Sequence, residues 1–229
     1  MKKLTLILSI LMLSVVSVAR ADVDPFEEFN RGVFEFNESL DNEVLEPTAR
    51  SYRDNVPTFV QDRIHDFFSN LSDVSTLANQ ILQFKAEDSA TTLSRIVVNT
   101  TVGLAGLFDV ASDMGLQTNQ EDFGQTLAVW GVSDGPYVVL PILGPSTLRD
   151  TAGLYVDMTA NTHFSAHLEG SDQTVATLTN ALDTRVELLP VTDLLDKSYD
   201  PYIAMRSSYL QKRTNDIYDG NVPVSDDDF

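Results

Sequence analysis

The chain has 229 residues, with 34 Asp and Glu against 15 Lys and Arg, a formal net charge of −19 and no cysteine. This balance excludes a nucleic-acid binder, which needs a basic footprint. It also repels anionic headgroups over about a Debye length, ~10 Å at 0.1 M salt, so membrane attachment has to rest on apolar contact. The lack of cysteine excludes disulfides, thiolate metal sites, cysteine nucleophiles and acylation at a lipoprotein cysteine, while the length suffices to bury a core without cross-links.

At the start, Lys2 and Lys3 precede the apolar run Leu4 to Val18, and Ala19-Arg20-Ala21 supplies a small-x-small cleavage pattern. A bilayer span needs about 20 apolar residues, so residues 1–21 are predicted to be a signal peptide cut before Asp22. Cleavage removes Lys2, Lys3 and Arg20 and no acid, taking the formal charge from −19 to −22. Residues 22–215 are expected to form one helical body, and residues 216–229 an acidic tail.

Along the mature chain the apolar spacing is helical. Phe26, Phe29, Val33, Phe36 and Leu40 define the face of a first helix. Val60, Ile64, Phe67, Phe68 and Leu71 define another after Pro57, which suits a first turn. Val74, Leu77, Ala78, Ile81 and Leu82 form a third stripe, and Asp88 is placed as the N-cap of a helix carrying Ala90, Leu93, Ile96 and Val97. Val175, Leu178, Leu182, Val186 and Leu189 predict a helix ending at Pro190, and a last one starts at Pro201 with Tyr202, Met205, Tyr209 and Lys212 on one side. Strand-like alternation is nearly absent, and the β-rich run Tyr137 to Leu140 is hemmed in by Pro136 and Pro141. The predicted fold class is all-α.

Two segments do not suit a soluble bundle. Ile96 to Phe108 is apolar without a polar face, and Gly131 to Pro145 is rich in Gly and Pro yet apolar in its middle. The second segment is read either as a loop tucked into the core or as a lipid-facing flap, with its backbone groups satisfied inside the protein. In the flap reading Tyr137, Val138, Val139, Leu140, Pro141, Ile142 and Leu143 border a lipid path, and Gly131, Gly135 and Gly144 are hinges. Phe26, Phe29, Phe36, Leu104, Leu107, Phe108 and Trp130 are assigned to a membrane-facing surface, where tryptophan suits the interface.

Enzymatic signatures are weak. His163 and His167 lie four apart near Glu169, a spacing that can bind zinc. The Glu that follows the first His in metalloproteases is missing, so the histidines read as exposed and no metal or other cofactor is expected. There is no Gly-x-Ser-x-Gly elbow and no nucleotide-binding motif. Asp109, Asp150 and Asp200, which follow apolar blocks, are read as helix caps or as partners of Arg149 or Arg53.

Six blocks carry a family resemblance: Asp24-Pro25-Phe26-Glu27-Glu28-Phe29-Asn30-Arg31; Arg53-Asp54-Asn55-Val56-Pro57; Asn99 to Ala111; Glu121-Asp122-Phe123-Gly124-Gln125-Thr126-Leu127; Gly135 to Asp150; and Tyr199-Asp200-Pro201-Tyr202. In this order they resemble the MlaA (VacJ) family. The resemblance implies a helical ring around an amphipathic channel at the periplasmic face of the outer membrane, seated in its inner leaflet. Such a ring removes misplaced phospholipid from the outer leaflet and maintains lipid asymmetry. The implied partners are phospholipid, trimeric porins and a periplasmic lipid carrier. Many members carry an acylated cysteine after the signal peptide; with none here, the protein is expected at that face without acylation. A soluble periplasmic lipid carrier is the alternative, distinguished by fractionating with the soluble periplasm.

Overall fold

The computed structural model describes residues 24–165 and 171–223. The expected signal peptide, residues 224–229 of the tail, and His167 and Glu169 lie outside the described residues.

Helix α1 spans Glu27–Leu40 and runs through a π-helical turn, Asp41–Leu45, into α2, Glu46–Asn55, whose first turn holds Pro47. Pro57 then caps α3, Thr58–Leu82, so the second and third apolar stripes belong to one long helix. Helix α4 is Ala86–Thr101. It starts two residues before Asp88, which therefore lies in the first turn instead of capping it; there a carboxylate still favours the positive helix end. The short α5, Val110–Asp113, and α6, Phe123–Val129, are capped by the side chains of Asp109 and Asp122.

Strands β1, Tyr137–Leu140, and β2, Gly144–Thr147, pair antiparallel, with Tyr137 opposite Thr147 and Leu140 opposite Gly144. Helix α7 is Leu148–Ser165 and α8 is Ser171–Leu195. The latter continues past Pro190: a proline withholds one N–H, and here the helix tolerates that loss instead of ending. Helix α9, Pro201–Ile217, begins with proline at its first turn and with the Asp200 side chain accepting from Ile203 N. It extends past residue 216, where the acidic tail was expected to start.

Among the described residues the fold is all-α apart from one hairpin. Its elements touch in a closed circuit: α1, the π-helical turn, α2, α8, α3, α6, α9, then the hairpin back to α1. Helix α4 flanks α3, and α7 packs on α6 and β2. This is a ring, and its burial pattern inverts that of a soluble domain. Among the described residues six hydrophobic side chains are buried, against eighteen polar or charged ones, while Phe29, Phe59, Phe84, Ile81 and Leu104 are exposed. Buried polar groups and exposed apolar ones are the informative departures from the usual distribution. None of the described helices is long and apolar enough to cross a membrane.

Candidate functional site: a polar cavity beside an anchored hairpin

The hairpin hangs from α1 by two asparagines seven residues apart, hence on one helix face. Asn30 Nδ2 donates to Tyr137 O at 3.1 Å, and its Oδ1 accepts from Val139 N at 2.9 Å. Asn37 Nδ2 donates to Leu140 O at 2.9 Å, and its Oδ1 accepts from Ile142 N at 2.8 Å. The two amides thus stand in for a third strand. Asn30 also donates to both oxygens of Asp24, which accepts from the Tyr202 hydroxyl. Arg31 pairs with Asp200 at 2.8 Å and lies 4.4 Å over the Tyr202 ring, so the first and last sequence blocks meet here.

Tyr137 and Val139 point into the small core with Tyr202, packed by Val33, Phe34, Met205 and Tyr209. Val138 and Leu140 are half-buried, while Pro141, Ile142 and Leu143 form an exposed tip. Ile142 sits at φ +68°. For a β-branched residue this left-handed conformation is strained. Gly131, Gly135 and Gly144 have φ of +87°, +68° and +83°, so turn geometry alone accounts for their identity. The segment has a core-packed root and an exposed tip.

Below the tip lies a cavity of about 800 Å³, bounded by α3, the stretch 118–125, α7, α9 and the hairpin residues Leu143 and Pro145. Its wall is otherwise largely hydrophilic, with Ser72, Ser75, Gln125, Asp157, Lys212 and Asp216 among the lining residues. Arg213 organises one side. It donates to Asp122 at 2.5 and 2.7 Å and to Asp150 at 2.8 Å, while Tyr209 Oη donates to Asp150 at 2.8 Å. Burial pushes both carboxyls up, but the Arg213 hydrogen bonds and charge outweigh it and hold Asp122 and Asp150 below the usual carboxylate range. Burial raises Asp157, with the Phe123 N–H opposing and Asp122 adding to the rise. Opposite, Lys85 bridges Glu121 and Asp219, each at 2.6 Å.

A second polar cluster holds the apolar turn after α4. Arg95 reaches Asp73 and Asp109, each at 3.1 Å, and Asn99 Nδ2 donates to Asp109 at 2.9 Å while its Oδ1 accepts from Ala111 N. Asn99 thus gives the run Ile96 to Phe108 the polar anchor that its composition did not suggest. Leu104, Ala105 and Gly106 follow in left-handed conformation, and Leu104 and Leu107 are exposed, Leu107 in an apolar groove with Phe59 and Phe67 of α3. A Cβ at Gly103 would lie 2.2 Å from Phe108 O, so only glycine fits there.

Of the residues assigned to a membrane-facing surface, Phe26, Phe29, Phe36, Leu104, Leu107 and Trp130 are exposed. Phe108 is half-buried, tilted against Phe59 with the Arg63 guanidinium 4.3 Å over its ring. Trp130 Nε1 donates to Leu82 O at 3.1 Å, beside Phe123.

The acids after the apolar blocks are caps and ion-pair members, but Asp200 pairs with Arg31 and Asp109 with Arg95, neither foreseen; Asp150 pairs with Arg149 as expected and with Arg213 besides. His65 lies 3.1 Å from both Asp183 and Glu187 instead of standing free. Among the described residues no cluster of His, Cys, Asp and Glu is arranged to hold a metal ion. Of the cavity lining, the sequence reading places only Leu143 on a lipid path. The signals for the rest were Glu121-Asp122, inside a quoted block, and Arg213 on the stripe side of the last helix.

Residues 22–216 match the family described as MlaA lipoprotein. A protein of Rickettsia typhi is 38% identical over 192 residues, covering 83% of this chain and 76% of its own length. The intermembrane phospholipid transport system lipoprotein MlaA of Escherichia coli K12 is 36% identical over 194 residues, covering 82% of this chain and 76% of its own. A solved structure concerned with the structural basis for maintenance of bacterial outer membrane lipid asymmetry superposes with a TM-score of 0.72 at 34% identity, covering 87% of this chain and all of that one. These findings correct one expectation, that of an unacylated protein at the periplasmic face. The family description and the relative's name both say lipoprotein, which implies relatives that are lipidated and associated with the outer membrane. The expectation rested on the absence of cysteine, whereas in a lipoprotein an acyl chain adds membrane affinity that hydropathy does not report.

Proposed function

The chain belongs to the MlaA lipoprotein family, and from that premise we propose that it transports phospholipid between membranes, clearing misplaced phospholipid from the outer leaflet of the outer membrane and so maintaining lipid asymmetry. The observation that carries this reading is the inverted distribution of polarity: a closed ring of elements with exposed apolar side chains, and a cavity of about 800 Å³ lined mostly by polar residues. A headgroup passing between leaflets must cross hydrocarbon, where an unpaired polar group is costly. A polar-lined path lowers that barrier, while the exposed faces of α1, α3 and α4 suit the acyl region of the inner leaflet, lying in its plane as amphipathic helices do. Phe26, Phe29, Phe36, Leu104, Leu107, Phe108 and Trp130 are the proposed contacts with that leaflet.

The hairpin is the proposed flap. Leu143 and Pro145 line the cavity and Ile142 caps the exposed tip, so a shift about Gly131, Gly135 and Gly144 changes how widely the cavity opens. The lipid passes unaltered, and we assign no catalytic residue and no cofactor. Trimeric porins in the membrane and a periplasmic lipid carrier are the proposed protein partners, the latter receiving lipid at the far end of the path. The test is a strain lacking this chain: outer-leaflet phospholipid and detergent sensitivity should rise and return to normal on re-expression. An unchanged outer leaflet rules the reading out.

A further inference from the structure

We propose that the polar cavity selects phospholipids whose headgroup carries a primary ammonium beside its phosphate, the ethanolamine-type zwitterion, over lipids with a net anionic headgroup. The proposal rests on the reading of this cavity as the lipid path. Five carboxylates line it, against the two cations Lys212 and Arg213. Lys85, held between Glu121 and Asp219, leaves the acids in excess. An anionic headgroup meets net repulsion there, and an added ammonium meets net attraction.

Charge alone does not make a site, but the hydrogen-bond inventory points the same way. Gln125 is 4% exposed and lines the cavity. Its Nε2 faces two acceptors, Gln120 O at 3.1 Å and Asp122 Oδ2 at 3.5 Å, which fixes the orientation of the amide. Its Oε1 is then a buried acceptor with no donor. Asp219 Oδ1 is in the same position, while its Oδ2 accepts from Lys85. Phosphate brings only acceptors and satisfies neither oxygen; an ammonium brings only N–H donors and satisfies such groups. The complementary pole is also present. Arg213 Nε is a buried donor without an acceptor, available to a phosphate oxygen, and Lys212 lies on the same helix at the cavity wall. Cation and anion of one zwitterion thus find opposite partners within one cavity. Among the described residues no metal-binding cluster exists to supply the positive charge otherwise.

The test uses the purified full chain in detergent, offered an equimolar mixture of dioleoyl phosphatidylethanolamine, phosphatidylcholine and phosphatidylglycerol, with retained lipid counted by mass spectrometry. Ethanolamine lipid should be enriched over glycerol lipid about tenfold, equivalent to about 1.4 kcal/mol. It should also exceed the choline lipid, which has the same charge and no N–H. The double variant Asp157→Asn/Asp219→Asn, checked by thermal melting, should bring the ethanolamine-to-glycerol ratio towards parity; an unchanged ratio in the folded variant overturns the proposal. Equal retention of ethanolamine and glycerol lipids by the unmodified chain, or of ethanolamine and choline lipids, overturns it while leaving the lipid path standing. Failure to retain any of the three overturns both. Glycerophosphoethanolamine, the same headgroup without chains, should not displace the lipid at equal concentration; displacement would assign the site to a soluble ligand and overturn the lipid selection.

Discussion

Arg213 holds one guanidinium between carboxylates from two elements, Asp122 capping α6 and Asp150 in α7. Truncating it leaves Asp122 without its cation and Asp150 with Arg149 alone. Removing one partner of a buried ion pair is far costlier than the pair's net worth. Arg213→Ala should therefore lose about 3 kcal/mol, a fall in melting temperature of about 10 °C. A melt within a degree or two of the unmodified chain would mean that Arg149 and water, not Arg213, satisfy those acids. Ile142 makes the opposite case. A β-branched residue held at φ +68° with its side chain exposed costs of order 1–3 kcal/mol and is retained where something other than stability requires it. Asparagine tolerates that conformation. Ile142→Asn should hold or raise the melting temperature, by up to about 4 °C for about 1 kcal/mol relieved, while phospholipid accumulates in the outer leaflet. Normal clearance by this variant would leave the strained tip without a role in transport.

At the scale of elements, α3 and α8 are joined through His65, whose Nδ1 lies 3.1 Å from carboxylates of Asp183 and Glu187. Burial lowers the His65 pKa, but the Asp183 hydrogen bond and the Glu187 charge outweigh it, so the folded value stands above the ordinary one. A raised folded pKa contributes stability that is complete below the unfolded value, about 6.5, and is lost as pH rises through the folded value. The melting temperature should therefore fall from pH 6 to pH 8 by more in the unmodified chain than in His65→Asn. The ring is half exposed, so the difference should stay under about 1 kcal/mol; identical pH dependence in both proteins would remove His65 from the α3–α8 contact. The helices themselves were legible because periodicity of 3.6 is the same whether a stripe faces a core or a lipid. For that reason the stripes did not reveal which way they face, and Phe29 and Ile81 stand outward. The hairpin was hard to read. Its strands are four residues each, β2 contains Pro145, and the groups that hold β1 are the side-chain amides of Asn30 and Asn37, more than a hundred residues earlier. The Arg213–Asp122 contact spans 91 residues, and no local pattern encodes it.

For the whole molecule, polarity and enclosure carry the account together. The ring closes through the hairpin, so the element that completes the circuit also borders the cavity. The excess of acids is in part gathered at the cavity: Glu121, Asp122, Asp157, Asp216 and Asp219 all line it. Apolar side chains on the outside suit a leaflet, and polar ones on the inside suit a headgroup. In this reading phospholipid passes through the cavity itself. Ser72 and Ser75 lie one turn apart on α3 at its wall. The direct measurement is outer-leaflet phospholipid in a strain whose only copy carries Ser72→Trp/Ser75→Trp, with the melting temperature of the purified variant taken alongside. The variant should fold, and phospholipid should accumulate to the level of the strain that lacks the chain. Full clearance by a folded protein with these two indoles in the cavity would contradict that reading.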